Sequence, residues 1–171
     1  MTANGFDDSV SLFFGNGMGQ FAAGPTLAVP TDTNSGNNAA ESVSVGDFNG
    51  DGQLDLAVGG APGFITLLGN GDGTFGSPNV YAPDYYLVRF TNFADLDGDG
   101  SAEILGTTGD ADGGLLEVLW HTAGGGVSTS TLRTGLQSLS VASKDLNGDG
   151  TPDVVVGSQD GLVNIFTNGC P

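Results

Sequence analysis

The sequence predicts an all-β fold assembled from repeated four-stranded units, and three observations carry that prediction. An acidic stretch appears three times, as "DFNGDGQLD" at 47–55, "DLDGDGSAE" at 95–103 and "DLNGDGTPD" at 145–153. The copies are spaced by about fifty residues, the length of one blade of a β-propeller. Short apolar runs alternating with period two flank each copy, and no segment holds an amphipathic 3.6-residue period over a helix length. The 31 glycines follow no collagen-type period and suit short strands joined by tight turns. The reading that satisfies all three is a series of β-propeller blades, about three and a half four-stranded repeats.

Taken in order, the chain opens inside a repeat. "VSLFFGNGMGQF" at 10–21 aligns with "FITLLGNGDGTF" at 64–75, so the partial repeat at 2–30 is expected to supply a third and a fourth strand. The repeat at 41–83 runs through "ESVSVGDF", the first acidic loop, "LDLAVGGA", "FITLLGNG" and the weaker "PNVYAP". The repeat at 87–134 runs through "VRFTNFADL", "AEILGTT", "LLEVLWHT" and "STSTLRT". The last, at 137–171, has "LSVASKDL", "PDVVVGS" and "LVNIFTNG", then stops after its third strand. Thirteen strands are expected, within one domain covering 1–171. "PTDTNSGNNAA" at 30–40 reads as a flexible linker.

Composition excludes several functions. There are 20 acidic residues against three basic ones (Arg89, Arg133 and Lys144), a formal charge of −17. Binding nucleic acid or anionic lipid needs clustered Lys and Arg, so neither is an expected partner. No apolar run approaches the ~20 residues that span a bilayer, so membrane insertion is not expected. "MTANGFDDSV" has neither the basic start nor the apolar core of a secretory signal. The lone Cys170 excludes an internal disulfide framework.

Half of the acids fall in the three loops, and crowded carboxylates call for a counter-ion. Oxygen-bearing side chains at loop positions 1, 3, 5 and 9, with Gly at 6, suit a hard cation such as Ca²⁺, which takes six to eight oxygens. The first half of each loop is similar to an EF-hand. Position 12, however, is Val58, Gly106 and Val156 rather than a bidentate Glu, and strands rather than helices flank the loops. A single such loop reads equally as a hairpin turn capping its own backbone; three with one spacing favour cation binding. "GDADGG" at 109–114 and "GNGDG" at 69–73 lack that spacing and read as turns, with Asp72, Asp110 and Asp112 solvated.

The stretch "DFNGDGQLDLAVGGAPGFITLLGNGDGTF", with its Gly-Ala-Pro, and the two further loops resemble the FG-GAP/VCBS repeat family of the integrin-alpha β-propellers. The resemblance covers nearly the whole chain. It implies calcium held between the first and second strands of a blade, about three ions in all. Carried over by position, the ligands are Asp47, Asn49, Asp51, Gln53 (main chain) and Asp55 in the first loop. They are Asp95, Asp97, Asp99, Ser101 (main chain) and Glu103 in the second, and Asp145, Asn147, Asp149, Thr151 (main chain) and Asp153 in the third. Glu103 departs from the usual Asp, and the chain is shorter than such propellers.

The expected function is a calcium-binding, calcium-stabilised propeller module with a structural, adhesion or assembly role, extracellular or at the cell surface. The alternative is a carbohydrate-binding, lectin-like propeller in which Tyr85, Tyr86 or Trp120 stacks on sugars; a protein ligand is also open. An enzyme is not expected: His121 is the only histidine and reads as a turn residue, and metal binding accounts for the paired carboxylates better than glycosidase chemistry. Self-association through edge strands or adjacent blades is expected, with "PTLAVP" at 25–30 completing the last repeat. Blades of a longer propeller are the competing explanation.

Overall fold

The computed structural model describes residues 1–30, 40–61, 63–81, 87–110, 113–122 and 126–169. Tyr85, Tyr86, Asp112, Cys170 and nearly all of the expected linker lie outside them. Among the described residues there are fourteen strands and no α-helix. They form four antiparallel sheets, each a meander in chain order. The first sheet holds β1 (Thr2–Asn4), β2 (Ser9–Gly15) and β3 (Phe21–Ala28). The second holds β4 (Ser42–Gly46), β5 (Asp55–Gly60), β6 (Gly63–Leu67) and β7 (Asn79–Tyr81). The third holds β8 (Phe90–Ala94), β9 (Glu103–Asp110), β10 (Gly113–Thr122) and β11 (Gly126–Gly135). The fourth holds β12 (Ser138–Lys144), β13 (Asp153–Ser158) and β14 (Val163–Phe166).

The strand missing from the sequence reading is β1. It pairs antiparallel with β2, Ala3 opposite Val10. The hairpin bond Asn16 N–H to Gln20 O (3.1 Å) matches Asn70 N–H to Thr74 O (3.0 Å), so β2 and β6 occupy equivalent places. The first sheet is therefore the second, third and fourth strands of a unit, one strand more than expected. The segment expected to complete the last repeat overlaps β3, which is already paired with β2, Ser9 opposite Ala28.

The sheets stack face to face in chain order, and each junction has its own core. Val10 and Leu12 of the first sheet meet Leu56, Val58, Ile65 and Leu67 of the second. Ala57 and Phe64 on the other face of the second meet Ile104 and Leu119 of the third. Leu105, Leu116 and Val118 of the third meet Val154 and Val156 of the fourth. Period-two alternation predicts half-buried strands, yet every residue of β5 and β6 is buried. The reason is that a sheet sandwiched between neighbours buries both faces, as in a propeller. The first strands of the units lie against one another along one side of the stack. There Ser44 Oγ donates to Thr91 Oγ1 (3.0 Å) and Asn92 Nδ2 donates to Ser143 Oγ (2.9 Å).

Close stacking leaves no room for a methyl at Gly106. A Cβ there would lie 2.4 Å from two ring atoms of Phe64 and 2.9 Å from Val88. Gly106→Ala is expected to destabilise the fold by about 1–3 kcal/mol through overpacking. Urea denaturation measures this, and a midpoint equal to the parent's would contradict the packing described.

Candidate metal-binding loops

Each acidic loop joins the first and second strands of its sheet: β4 to β5, β8 to β9 and β12 to β13. The sharp turn depends on glycines at the fourth and sixth positions with left-handed backbone. Gly98 and Gly100 have φ 75° and 93°, and Gly148 and Gly150 have 82° and 94°. A side chain at either position would be strained.

The first-position aspartate organises the turn by accepting backbone N–H groups from later in the loop. Asp95 takes Gly98 N–H on Oδ1 (2.8 Å) and Gly100 N–H on Oδ2 (3.1 Å). Asp145 does the same with Gly148 (2.7 Å) and Gly150 (3.0 Å). Asp47 accepts from Asp51 N–H (3.1 Å) and Gly52 N–H (2.8 Å). The fifth-position aspartate accepts the N–H of the seventh residue in all three: Asp51 from Gln53, Asp99 from Ser101 and Asp149 from Thr151. The Thr151 hydroxyl also donates to Asp149 (2.6 Å), and these two bonds, with the Asn147 amide, hold the Asp149 carboxyl below its ordinary range.

These bonds bring the odd-numbered side chains onto the same small volume. In the second loop Asp95, Asp97 and Asp99 each place an oxygen within 4.8 Å of the others. In the first and third loops an asparagine replaces the middle carboxylate, and its amide donates to the fifth position: Asn49 to Asp51 (2.8 Å) and Asn147 to Asp149 (2.9 Å). Both readings weighed from sequence are thus compatible with one geometry. The side chains cap the backbone and, in doing so, gather their remaining lone pairs together. An all-oxygen donor set of this kind fits Ca²⁺.

The ninth-position acid has a part that sequence reasoning missed. Asp55 and Asp153 are fully buried, and each ties its loop to the exit of the third strand. Asp55 accepts Phe48 N–H on Oδ2 (2.9 Å) and Gly69 N–H on Oδ1 (2.8 Å). Asp153 accepts Leu146 N–H (2.9 Å) and Asn168 N–H (2.9 Å). Glu103, with its longer arm, takes Leu96 N–H on Oε2 (2.7 Å). Burial, with added repulsion from Asp97 and Asp95, pushes its carboxyl up to about 7 despite that bond. Burial also raises Asp55, against the two backbone bonds. The available signal for this clamp was the "GNG" or "TNG" that follows each loop at a fixed distance in the first and third copies.

The first two loops touch directly: Ala102 N–H in the second donates to the Asp47 carbonyl in the first (2.7 Å). The second reaches the third through Asn168, which follows β14, donates through Nδ2 to the Leu96 carbonyl (2.6 Å) and donates its N–H to Asp153 (2.9 Å). The loops therefore lie side by side along one rim of the stack. Of the residues set apart by sequence, His121 lies edge-on to Phe48, ring centres 5.7 Å apart. Trp120 donates through Nε1 to Ser130 Oγ (2.7 Å). Asp72 accepts the Thr74 hydroxyl and N–H in its turn, and both hold it below the ordinary carboxylate range.

Stacked meanders of three or four strands with an acidic loop between first and second strands define a class, the propeller-type repeat. The FG-GAP-like repeat family matches the chain at residues 2–58 and 95–156, and the chain belongs to that family. A search among curated proteins finds no match.

The ninth-position clamp and the exposed loop acids differ in what they contribute to the fold in the absence of metal. In EDTA, Asp153→Ala is expected to cost about 1–3 kcal/mol, because two backbone donors lose their acceptor. Asp149→Ala, at an exposed position, is expected to change stability far less. Chemical denaturation of both variants checks this; equal losses would contradict the division of labour.

Proposed function

We propose that this chain is a calcium-binding, calcium-stabilised β-propeller module with a structural, adhesion or assembly role at or outside the cell surface. The observation that carries the reading is the convergence of Asp95, Asp97 and Asp99 on a turn whose backbone scaffold recurs in the third loop and, with Asp51 N–H in place of the fourth-position donor, in the first. The side chains that would hold the ions are those at positions 1, 3, 5 and 9, with the main chain of Gln53, Ser101 and Thr151. A bound Ca²⁺ supplies the positive charge that offsets carboxylate repulsion in each loop. Because the first and third loops are fastened to the third strand by Asp55 and Asp153, stabilising the turn there also stabilises the sheet. No helix among the described residues is long and apolar enough to cross a membrane. Calcium sites of extracellular modules commonly bind in the ~10⁻⁴–10⁻³ M range, and a stabilising role of this kind suits a setting outside the cytosol.

A groove of about 450 Å³ beside the second loop favours keeping the carbohydrate reading as a second one. It is lined by Trp120, Leu132 and Phe166, with Asn168 and Ser130 as polar groups. Sugar sites combine an aromatic wall with a few polar groups in this way. A glycan array with a Trp120→Ala control separates the readings.

Calcium removal is expected to lower the melting temperature, since ligand binding to the native state adds RT ln(1 + [L]/Kd). A melting curve unchanged by EDTA, on protein verified metal-free beforehand, would sink the proposal. The sites are also expected to be unequal, the second loop carrying one more carboxylate than the others. Asp99→Ala is expected to remove one site and leave two by titration calorimetry; three equivalent sites in that variant would refute the assignment.

A further inference from the structure

We propose that the two end faces of the stack bind each other between two copies of this chain, closing a ring of eight sheets. Such a junction depends on packing and is independent of bound calcium. Equivalent residues can be followed from sheet to sheet through the strand register: Leu56 opposite Leu67, Ile104 opposite Leu119, Val154 opposite Phe166. By that register, the face each sheet turns toward its successor carries Phe64 and Thr66 in the second sheet and Leu116 and Val118 in the third. All four are buried by the sheet that follows, Phe64 and Thr66 to 0 % exposure. The same positions in the fourth sheet are Val163 and Ile165. These are 64 % and 58 % exposed. They present the apolar half of a junction that occurs three times in this chain.

The other half is on the first sheet. The face turned toward a predecessor carries Leu67 in the second sheet and Leu119 in the third, both buried; the equivalent residue in the first sheet is Phe13, 45 % exposed. Beside it, Asn4 donates through Nδ2 to Ser9 Oγ (3.1 Å) and to Ser11 Oγ (2.8 Å). That polar group is satisfied within the sheet, so covering it strands no donor or acceptor of Asn4 in this network. Ala142 fits the same account. It stands where Ser44 and Asn92 reach across to the first strand of the next sheet. The first sheet has no such strand among the described residues, and alanine has no bond to lose there.

A second copy supplies both faces in the sense used within the chain, successor face on predecessor face. Such a junction is heterologous, and it closes if the rotation accumulated over one copy is half a turn. Four sheets per copy make eight, at the upper end of the usual four to eight blades. β3 stays in its own sheet, so no strand is exchanged.

The test is sedimentation velocity with calcium at physiological ionic strength, which screens the −17 charge of each copy. The chain is expected to reach twice its mass of 17.1 kDa at concentrations up to about 100 µM. Phe13→Asp and Ile165→Asp, both at exposed positions, are each expected to weaken association by at least about tenfold in Kd. Thermal melts verify that both variants fold, and Phe13→Ser stands in if the aspartate variant does not. Mixing the two variants is expected to restore a dimer, because one of the two junctions then joins two unaltered faces. A parent that stays monomeric throughout overturns the proposal. So does a Phe13→Asp variant that still dimerises, which would mean like faces pair. Failure of the mixture to associate, or mass growing beyond two copies, rejects the closed ring.

Discussion

A β-sheet with apolar side chains on both faces cannot be satisfied by one neighbour, and that constraint organises this molecule. In β5, Leu56 and Val58 point to the first sheet while Ala57 points to the third, and all three are buried. Burying Leu56 or Val58 on one face, or Phe64 of β6 on the other, is worth about 1.5–3 kcal/mol each, so neither face can be left wet without a large loss. Stacking in chain order follows, since consecutive units are tethered. Glycines such as Gly106 follow as well, because a ring the size of Phe64 needs the space that a Cβ would occupy. Where the sheets come closest, at the first strand of each unit, side chains shrink to Ser, Thr and Asn and the contact becomes hydrogen-bonded.

The acidic loops are the second consequence. Two strands brought side by side need a tight connection, and an aspartate accepting two backbone N–H groups provides one. Asp95 and Asp145 do this with almost the same distances, which marks the turn as one design used repeatedly. Carboxylates recruited as turn formers then lie close enough to share a cation. The ninth-position acid carries that local order inward, because Asp55 and Asp153 grip the third strand as well as the loop. Loop and sheet are therefore mechanically one unit. The contact from Ala102 to Asp47 extends that unit to its neighbour.

How much of this was legible depended on the range of the interaction. The strands flanking each loop, such as "SVSVG" and "DVVVGS", were readable because alternation is a local property of the sequence. β1 was not, since "TAN" is too short to alternate and is recognisable only through its partner β2. The loop positions were legible from spacing, which names residue types but not the direction each side chain takes. Hence Asp55 and Asp153 could be placed in the loop, while their hold on Gly69 and Asn168, set by where the third strand returns, could not. Burial of β5 on both faces was hidden for the same reason. Half-buried and fully buried strands share one alternating pattern when small residues occupy the second face, as Ala57 and Gly59 do here.

Most of the charge is kept away from the packed faces. The acids at loop positions 1, 3 and 5 lie along one rim, exposed or half-buried, while Asp55, Glu103 and Asp153 are buried beneath them and Glu117 is buried in β10; the stacking faces otherwise carry mainly Val, Leu, Ile, Phe and Thr. Were those carboxylates spread over the faces, the −17 charge would oppose every junction at short range and low dielectric. Placed on the rim, they repel mainly along the line of loops. A divalent ion can offset that repulsion without altering any packed face.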